Sequence, residues 1–183
     1  MGGVLLQLPS WARVTAKRRG HIDRVGELIA TWAREIGVSD AERGRWLRAV
    51  SMHDALKDAP KELLRELAPD PWDTDSLRHG PAAAVLAARN GETDRGVLDA
   101  VRYHSVGYAA WDAVGRMLYL ADYLEPGRSR NREAQRRLAA RVCEDVAGVL
   151  REVARQRIGR IIAAGHPLLP ETIAFWNSLA CDE

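Results

Sequence analysis

The sequence predicts an all-α protein, and three observations lead to this prediction. Apolar residues recur at steps of three and four along most of the chain, which is the period of a helix buried on one side. Helix start and stop signals separate these segments, and no run alternates between apolar and polar residues as a strand would. With 183 residues, of which 46% are apolar, the chain suits one well-buried domain and is short for two.

Three helices are predicted near the start of the chain. The first covers 21–36 and ends at Gly37. Its buried face carries Ile22, Val25, Ile29, Trp32 and Ile36. A second helix begins at the capping box Ser39–Glu42 and buries His53 near its other end. A short third helix covers 60–67, with a proline in its first turn.

The middle of the chain is divided by loop residues. Residues 68–76 are rich in Asp and Pro and are predicted as a loop. A helix of small residues follows over 81–89 and ends at an Asn-Gly pair. The next helix has one buried face, formed by Val97, Val101 and His104. Another helix covers 111–124 and stops before a Pro-Gly pair.

The last part of the chain is predicted to be helical as well. Residues 133–164 form an amphipathic stretch rich in Arg and Ala, either one long helix or two. If there are two, we expect the break near Gly148 or Gly159. A final helix begins after Pro170.

Composition and charge exclude several classes of protein. The formal net charge of +2 suits a small anionic substrate and gives no reason to expect nucleic acid as a partner. Cys143 and Cys181 are widely separated and form no metal or redox motif, which indicates free thiols and a cytoplasmic location. No apolar run approaches the roughly 20 residues of a membrane span, so we expect no membrane contact.

A set of polar residues lies on apolar helix faces or at helix ends, where burial is unfavourable without a partner. The set consists of His21, His53, Asp54, His79, His104 and Asp122. Each residue alone is more often a hydrogen-bonded core residue than a ligand. Together, four of the five histidines and two aspartates form a donor set typical of a divalent transition metal. The absence of Cys from the set argues against a structural zinc site.

The order of these residues resembles the HD-domain phosphohydrolases with an expanded, two-metal site. The motifs are Arg18-Arg19-Gly20-His21, His53-Asp54-Ala55-Leu56-Lys57, His79-Gly80, Tyr103-His104-Ser105-Val106-Gly107 and the block from Tyr119 to Arg128. The resemblance is strongest to the bacterial YqeK-type proteins, which are symmetrical diadenosine tetraphosphate hydrolases, and it covers about 18–179. It implies one HD domain over 1–183, a helical bundle with the metal site in its core. The core would cover about 18–128, with C-terminal helices over about 132–180 packed on it.

The resemblance also implies a division of the ligands between two metal ions. One ion would be held by His21, His53, Asp54 and Asp122. Asp54 would bridge to a second ion held by His79 and His104, because a carboxylate can bind two metals and an imidazole cannot. Iron is the metal we expect most, with Mn, Co and Zn as alternatives. Such an ion pair makes hydroxide available near neutral pH, so that no protein nucleophile is needed.

Four further residues are candidates for catalysis or substrate binding. Lys57, one turn after Asp54, is assigned a catalytic and phosphate-binding role; the alternative is a solvated lysine at a helix end. Arg128 is a candidate phosphate clamp; the alternative is an ion pair with Glu125. Ser105 and Arg24 are also candidate substrate contacts. For Arg24, as for Arg18 on the other side of His21, a structural role is the stronger alternative.

Three functions remain open at this point. The first is symmetrical cleavage of diadenosine tetraphosphate to two ADP. The second is an HD phosphohydrolase that acts on another nucleotide or phosphate ester. The third is a non-catalytic nucleotide or metal sensor, against which the complete ligand set argues. A homodimer formed through the C-terminal amphipathic stretch is also left open.

Overall fold

Helices account for the regular structure of the protein, as the sequence predicts. The computed structural model describes residues 6–69, 74–127 and 132–180, which contain nine α-helices, one 3-10 turn and no strand. The helices are α1 (Ala16–Ile36), α2 (Asp40–His53), α3 (Lys61–Leu67), α4 (His79–Arg89), α5 (Arg95–Tyr103), α6 (Ala113–Leu124), α7 (Arg132–Arg141), α8 (Val146–Ala163) and α9 (Pro170–Ala180). The 3-10 turn, Asp75–Leu77, precedes α4. None of the helices in these residues is long and apolar enough to span a bilayer.

Side-chain caps explain two differences from the predicted helices. Helix α1 begins five residues earlier than predicted, because the side chain of Thr15 accepts a hydrogen bond from the backbone N–H of Arg18. The predicted break near Gly148 or Gly159 is wrong, since α7 ends at Arg141 and α8 begins at Val146. The break lies before Gly148 because the Asp145 side chain accepts from the N–H of that glycine and caps α8 there.

Helix α2 is at the centre of the bundle and packs against α1, α4, α5 and α6. Its buried residues include Trp46, Ala49 and Val50, which belong to the same apolar cluster as Ile29 of α1 and Val101 of α5. Because α2 is surrounded, its C-terminal end lies inside the protein. Polar residues at that end are therefore buried among the ends of neighbouring helices.

The C-terminal helices pack on α6 and α1 and share the same core. The indole of Trp32 in α1 donates a hydrogen bond to the backbone oxygen of Ala139 in α7, at 3.2 Å. Phe175 of α9 contacts the rings of Trp111 and Tyr119, with centroids 5.2 and 5.3 Å away. Helix α8 packs between α9 and α6, the helix that carries Asp122.

Helices α4 and α5 approach closely at Gly80. A Cβ atom added at Gly80 would lie 2.8 Å from the backbone oxygen of Arg102, 2.9 Å from that of Val101 and 3.3 Å from the imidazole of His104. Two of these neighbours are backbone atoms and cannot move away at low cost. The glycine therefore sets the distance between the helix ends that carry His79 and His104.

We expect Gly80→Ala to destabilise the protein by about 1–3 kcal/mol, because the added methyl group overpacks the α4–α5 contact. Gly159→Ala is the matched control, since nothing lies within 4 Å of a Cβ at that helical position. It should stabilise the protein by about 0.5–1 kcal/mol through helix propensity. Denaturant unfolding measures both changes, and a Gly80→Ala variant as stable as wild type would contradict the close contact.

Candidate metal centre

The structure brings together all six residues of the predicted donor set. His53 is the last residue of α2 and Asp54 follows it as C-cap, while His79 begins α4 and His104 caps α5. The other two members lie inside α1 and α6. All six are at most 6% exposed, and they are His21, His53, Asp54, His79, His104 and Asp122. The ends of three helices and the sides of two others thus meet at one buried point.

Asp54 is at the centre of this group, and its two carboxylate oxygens face different histidines. Oδ2 lies 3.6 Å from Nε2 of His21 and 3.8 Å from Nε2 of His53. Oδ1 lies 3.1 Å from Nε2 of His79 and 3.6 Å from Nε2 of His104. The carboxylate therefore has the geometry to bind one cation through each oxygen.

Two groups of donor atoms can be distinguished around Asp54 among the described residues. The first consists of His21, His53 and Asp122, and the second of Asp54, His79 and His104. Within each group, one donor atom per residue lies within 4.8 Å of the others, and every member is buried. The predicted division differs in one respect, since it also assigns Asp54 to the first group as a shared ligand.

Backbone carbonyls orient three of the four imidazoles. Nδ1 of His53 donates to the oxygen of Val50 at 2.8 Å, and Nδ1 of His104 donates to that of Val101 at 2.8 Å. Nδ1 of His79 donates to the backbone oxygen of the residue three positions earlier, at 2.5 Å. With the proton on Nδ1, each ring presents the lone pair of Nε2 to the centre, as a metal ligand must.

The fourth imidazole is oriented by a carboxylate. Nδ1 of His21 lies 3.1 Å from Oε1 of Glu125, a residue that is only 2% exposed. Oε2 of Glu125 accepts hydrogen bonds from Nε of Arg24 and from the backbone N–H of Gly127, both at 2.6 Å. Burial raises the pKa of Glu125, but these donors outweigh it and lower the pKa to about 2. Glu125 is thus an ionised residue that holds His21 from behind.

The arrangement at the centre fits a cation. Nε2 of His53 is buried and makes no hydrogen bond with any described residue, and Nε2 of His21 lies 3.1 Å from Oδ1 of Asp122. Nε2 of His79 and Nε2 of His104 lie 3.0 Å apart, although both rings already donate through Nδ1. Two facing lone pairs repel each other, and buried polar atoms without partners are unfavourable. A divalent ion between these atoms would remove both penalties, so the residues fit a metal.

The imidazoles differ in charge. Burial lowers the pKa of His53 to about 4 and also lowers the pKa values of His79 and His104. Burial acts in the same direction on His21, but the adjacent carboxylates of Asp122 and Glu125 raise its pKa to about 9. Near neutral pH three imidazoles are therefore ready to bind a metal, whereas His21 carries a proton that a metal has to displace.

Asp54 is held in its ionised form. Burial acts to raise its pKa, but the surrounding imidazoles hold the pKa of this carboxyl well below its ordinary value. Nη1 of Arg18 also donates to Oδ2 of Asp54 at 2.6 Å. Arg18, for which the sequence favoured a structural role over substrate binding, thus supplies a positive charge directly to the central carboxylate.

The predicted substrate-binding residues that the structure describes lie around the centre, and each has different hydrogen-bond partners. Nζ of Lys57 donates to the backbone oxygen of Ser76 at 3.2 Å and lies 3.3 Å from Nδ1 of His79. The hydroxyl of Ser105 is 3.1 Å from Nε2 of His104. The guanidinium of Arg24 is bound to Glu125, so this residue has the structural role that the sequence offered as the alternative to substrate binding. Arg128 lies outside the described residues.

Sequence reasoning missed Arg157 of α8, which reaches the centre from the C-terminal part of the chain. Its Nη1 lies 3.6 Å from Oδ2 of Asp122, is buried and has no hydrogen-bond partner among the described residues. Its guanidinium carbon is 4.3 Å from the ring centroid of Tyr119. A signal was present, because Arg157 follows Val149 and Val153 at steps of four and so interrupts an apolar helix face.

A cavity of about 540 Å³ opens beside His21. Four basic side chains line it: Lys17, Arg18, Arg24 and Arg160. Among the described residues, two carboxylates, those of Asp58 and Glu125, face the same space. The volume lies within the range of about 300–1,000 Å³ typical of ligand pockets, and the excess of positive charge suits an anionic ligand.

Comparison with known proteins agrees with this geometry. Three curated relatives, all named "Bis(5'-nucleosyl)-tetraphosphatase, symmetrical", match the chain. The protein of Halalkalibacterium halodurans is 26% identical over 189 residues, which cover 99% of this chain and 98% of the relative. That of Bacillus subtilis is 27% identical over 146 residues, covering 72% and 74%. That of Staphylococcus aureus is 31% identical over 125 residues, covering 64% and 63%.

A solved structure shares the fold. It is described as a predicted HD superfamily hydrolase involved in NAD metabolism from Clostridium acetobutylicum, and it superposes with a TM-score of 0.81. The superposition covers 93% of this chain and 92% of that one, at 26% sequence identity.

The family assignment follows from the region that carries the donor set. Residues 18–127, more than half of the chain, match the HD domain family, and all six donor residues lie within this range. The chain therefore belongs to the HD domain family, with the all-helical fold and the buried His and Asp donors of a metal-dependent phosphohydrolase.

Proposed function

We propose that this protein hydrolyses diadenosine tetraphosphate symmetrically and releases two ADP. The observation that carries the proposal is the position of Asp54, whose two oxygens face two separate groups of histidines. A two-ion centre suits the displacement at a phosphoanhydride, because both the attacking and the leaving oxygen are stabilised. The printed names of the three curated relatives support the choice of substrate.

The six predicted ligands are proposed to keep their assigned ions. His21, His53, Asp54 and Asp122 hold the first ion, and Asp54, His79 and His104 hold the second. Iron is the metal we expect most, because imidazole and carboxylate donors suit Fe, Mn, Co or Zn better than Mg. Bound divalent ions supply hydroxide near neutral pH and neutralise charge on the phosphoryl oxygens.

Basic side chains on both sides of the donor groups would bind the rest of the tetraphosphate. Arg157 lies next to Asp122 of the first group, and Lys57 lies next to His79 of the second. Symmetrical cleavage leaves two phosphates on each side of the broken bond, so a cation on each side can stabilise both halves. Arg18 and Arg24 line the larger cavity beside the first group. Arg24 acts chiefly through Glu125, which it orients and which in turn holds His21.

Metal analysis of single variants tests the shared role of Asp54. We expect Asp54→Ala to lose both ions and all activity, because it removes the ligand common to the two groups. His79→Ala should lose chiefly the second ion and retain the first. Asp40→Ala is the matched control, since Asp40 lies at the other end of the same helix and its side chain is 92% exposed. Two ions per chain in His79→Ala would contradict the two-metal assignment.

Metal binding at the first group should release one proton, contributed by His21. Because the pKa of His21 is raised to about 9, its proton is displaced at neutral pH, whereas His53 is already neutral. The affinity for Mn²⁺ at this group should rise about tenfold per pH unit between pH 6.5 and 8.

Titration calorimetry in two buffers with different ionisation enthalpies measures this proton release. The His21→Gln variant should bind its remaining metal without the corresponding release. An affinity for Mn²⁺ that is constant from pH 6.5 to 8 in the wild-type protein would show that His21 is not a ligand that must lose a proton.

Product analysis tests the proposed reaction. Incubation of the metal-loaded protein with diadenosine tetraphosphate should give ADP as the only nucleotide product, measured by chromatography. AMP together with ATP would mean that the bond broken is not the central one. Rapid turnover of a mononucleotide, without turnover of the dinucleotide, would show that the protein is an HD phosphohydrolase with a different substrate.

The same assay separates phosphate binding from metal binding. Arg157→Gln should lower kcat/KM about 10²-fold while both ions remain bound, as expected for one lost charge-stabilising donor. Arg155→Gln is the control on the same helix, because Arg155 is 67% exposed and pairs with Glu152 at the surface. Equal kcat/KM values for the two variants would show that Arg157 does not bind a phosphate of the substrate.

A further inference from the structure

A second, smaller cavity lies beside the donor group of Asp54, His79 and His104. Its volume is about 240 Å³, and its walls come from the turn before α4, the turn after α5 and the segment from Ile161 to Thr172. Two wall residues contact metal-ligand candidates directly. The backbone oxygen of Ser76 accepts from Nδ1 of His79, and the hydroxyl of Ser105 is 3.1 Å from Nε2 of His104. Part of the cavity wall therefore lies next to the second donor group.

The lining of this cavity differs from that of the larger cavity beside His21. Its apolar wall consists of Leu77, Val106, Ile161, Pro167 and Leu169. Hydroxyl groups of Ser and Thr residues and the imidazole of His166 supply the polar part of the lining. No Asp, Glu, Lys or Arg belongs to the lining among the described residues. An apolar surface with a few polar groups and no carboxylate, ammonium or guanidinium suits an uncharged, flat and partly polar ligand.

We propose that this cavity binds a nucleobase of the substrate. The inference rests on the proposed function, because it assigns the ends of a substrate whose phosphates lie at the metal centre. A volume of about 240 Å³ is below the range of about 300–1,000 Å³ typical of pockets for a whole ligand, so the cavity takes a part of one. The base is the part of a nucleotide that carries no charge.

The cavity is pre-formed by contacts with the C-terminal part of the chain. The hydroxyl of Thr172, a residue only 3% exposed, donates to the backbone oxygen of Val106 at 2.8 Å. This bond fastens the start of α9 to the turn that carries Ser105. Ile161 is at the end of α8, on the side facing that turn. The base would thus be contacted both by residues of the HD match, which ends at residue 127, and by residues that follow it.

The experiment compares the binding of ADP with that of pyrophosphate, which has the same two phosphates and no base. Isothermal titration of the metal-loaded wild-type protein should show ADP bound at least about tenfold more tightly than pyrophosphate, since burying a base adds apolar contact. Ile161→Trp should fill the cavity and abolish this preference without changing the Kd for pyrophosphate. Ile162→Trp is the matched control, because Ile162 is the next residue and is 60% exposed.

Leu77→Trp fills the same cavity from the opposite wall and should give the same loss, which guards against a local defect in α8. Equal affinity of the wild-type protein for ADP and pyrophosphate would overturn the proposal. So would a preference for ADP that survives in both Ile161→Trp and Leu77→Trp. A protein that keeps the ADP preference but does not cleave diadenosine tetraphosphate would remove the proposed reaction and leave the base site in place.

Discussion

The buried carboxylate of Asp54 is the constraint on which the rest of the structure depends. It lies at the C-terminus of α2, where the partial charge of the helix is already negative, and it is 4% exposed. A buried carboxylate is strongly unfavourable without positive charge or hydrogen bonds around it. Arg18 and the imidazoles supply part of this compensation. The remaining unfavourable term is the part that bound cations offset, so the fold stabilises a site that is complete only with metal.

At two helix ends of this centre, one hydrogen bond both satisfies a helix-terminal carbonyl and orients a histidine. The last carbonyls of a helix have no partner within the helix, and an imidazole in a metal site needs a hydrogen bond at its second nitrogen. His53 and His104 each bond the carbonyl three residues earlier, Val50 and Val101, in the last turn of α2 and α5. One bond therefore satisfies a helix terminus and fixes a tautomer. His79 bonds a carbonyl of the 3-10 turn before α4 in the same way, whereas His21 depends on the distant residue Glu125.

Local pattern predicted most of the helices, because helical periodicity depends on residues close in sequence, whereas the resemblance to the HD family united six polar residues from distant segments. Helical periodicity gave the elements, and His and Asp on apolar faces identified the site. The separation of α7 from α8 was misplaced because the Asp145 side chain outweighs the low helix propensity of Gly148. Arg157 was missed and Arg24 was assigned to substrate because their partners, Asp122 and Glu125, come from distant parts of the chain. Such pairings depend on helix packing, which a single sequence does not display.

The division between chemistry and selectivity follows from the position of α8. Arg157 faces the metal centre, Arg160 lines the larger cavity, and Ile161 lines the smaller one. Because successive residues of a helix point in directions about 100° apart, one helix can form a wall of all three spaces. In the proposed reaction the part of the chain matched by the HD family holds the metals and part of the substrate, and α8 with the segment after it adds further substrate contacts. Substitutions on α8 can therefore change which phosphate ester is bound while the metal ligands and their orienting hydrogen bonds stay the same.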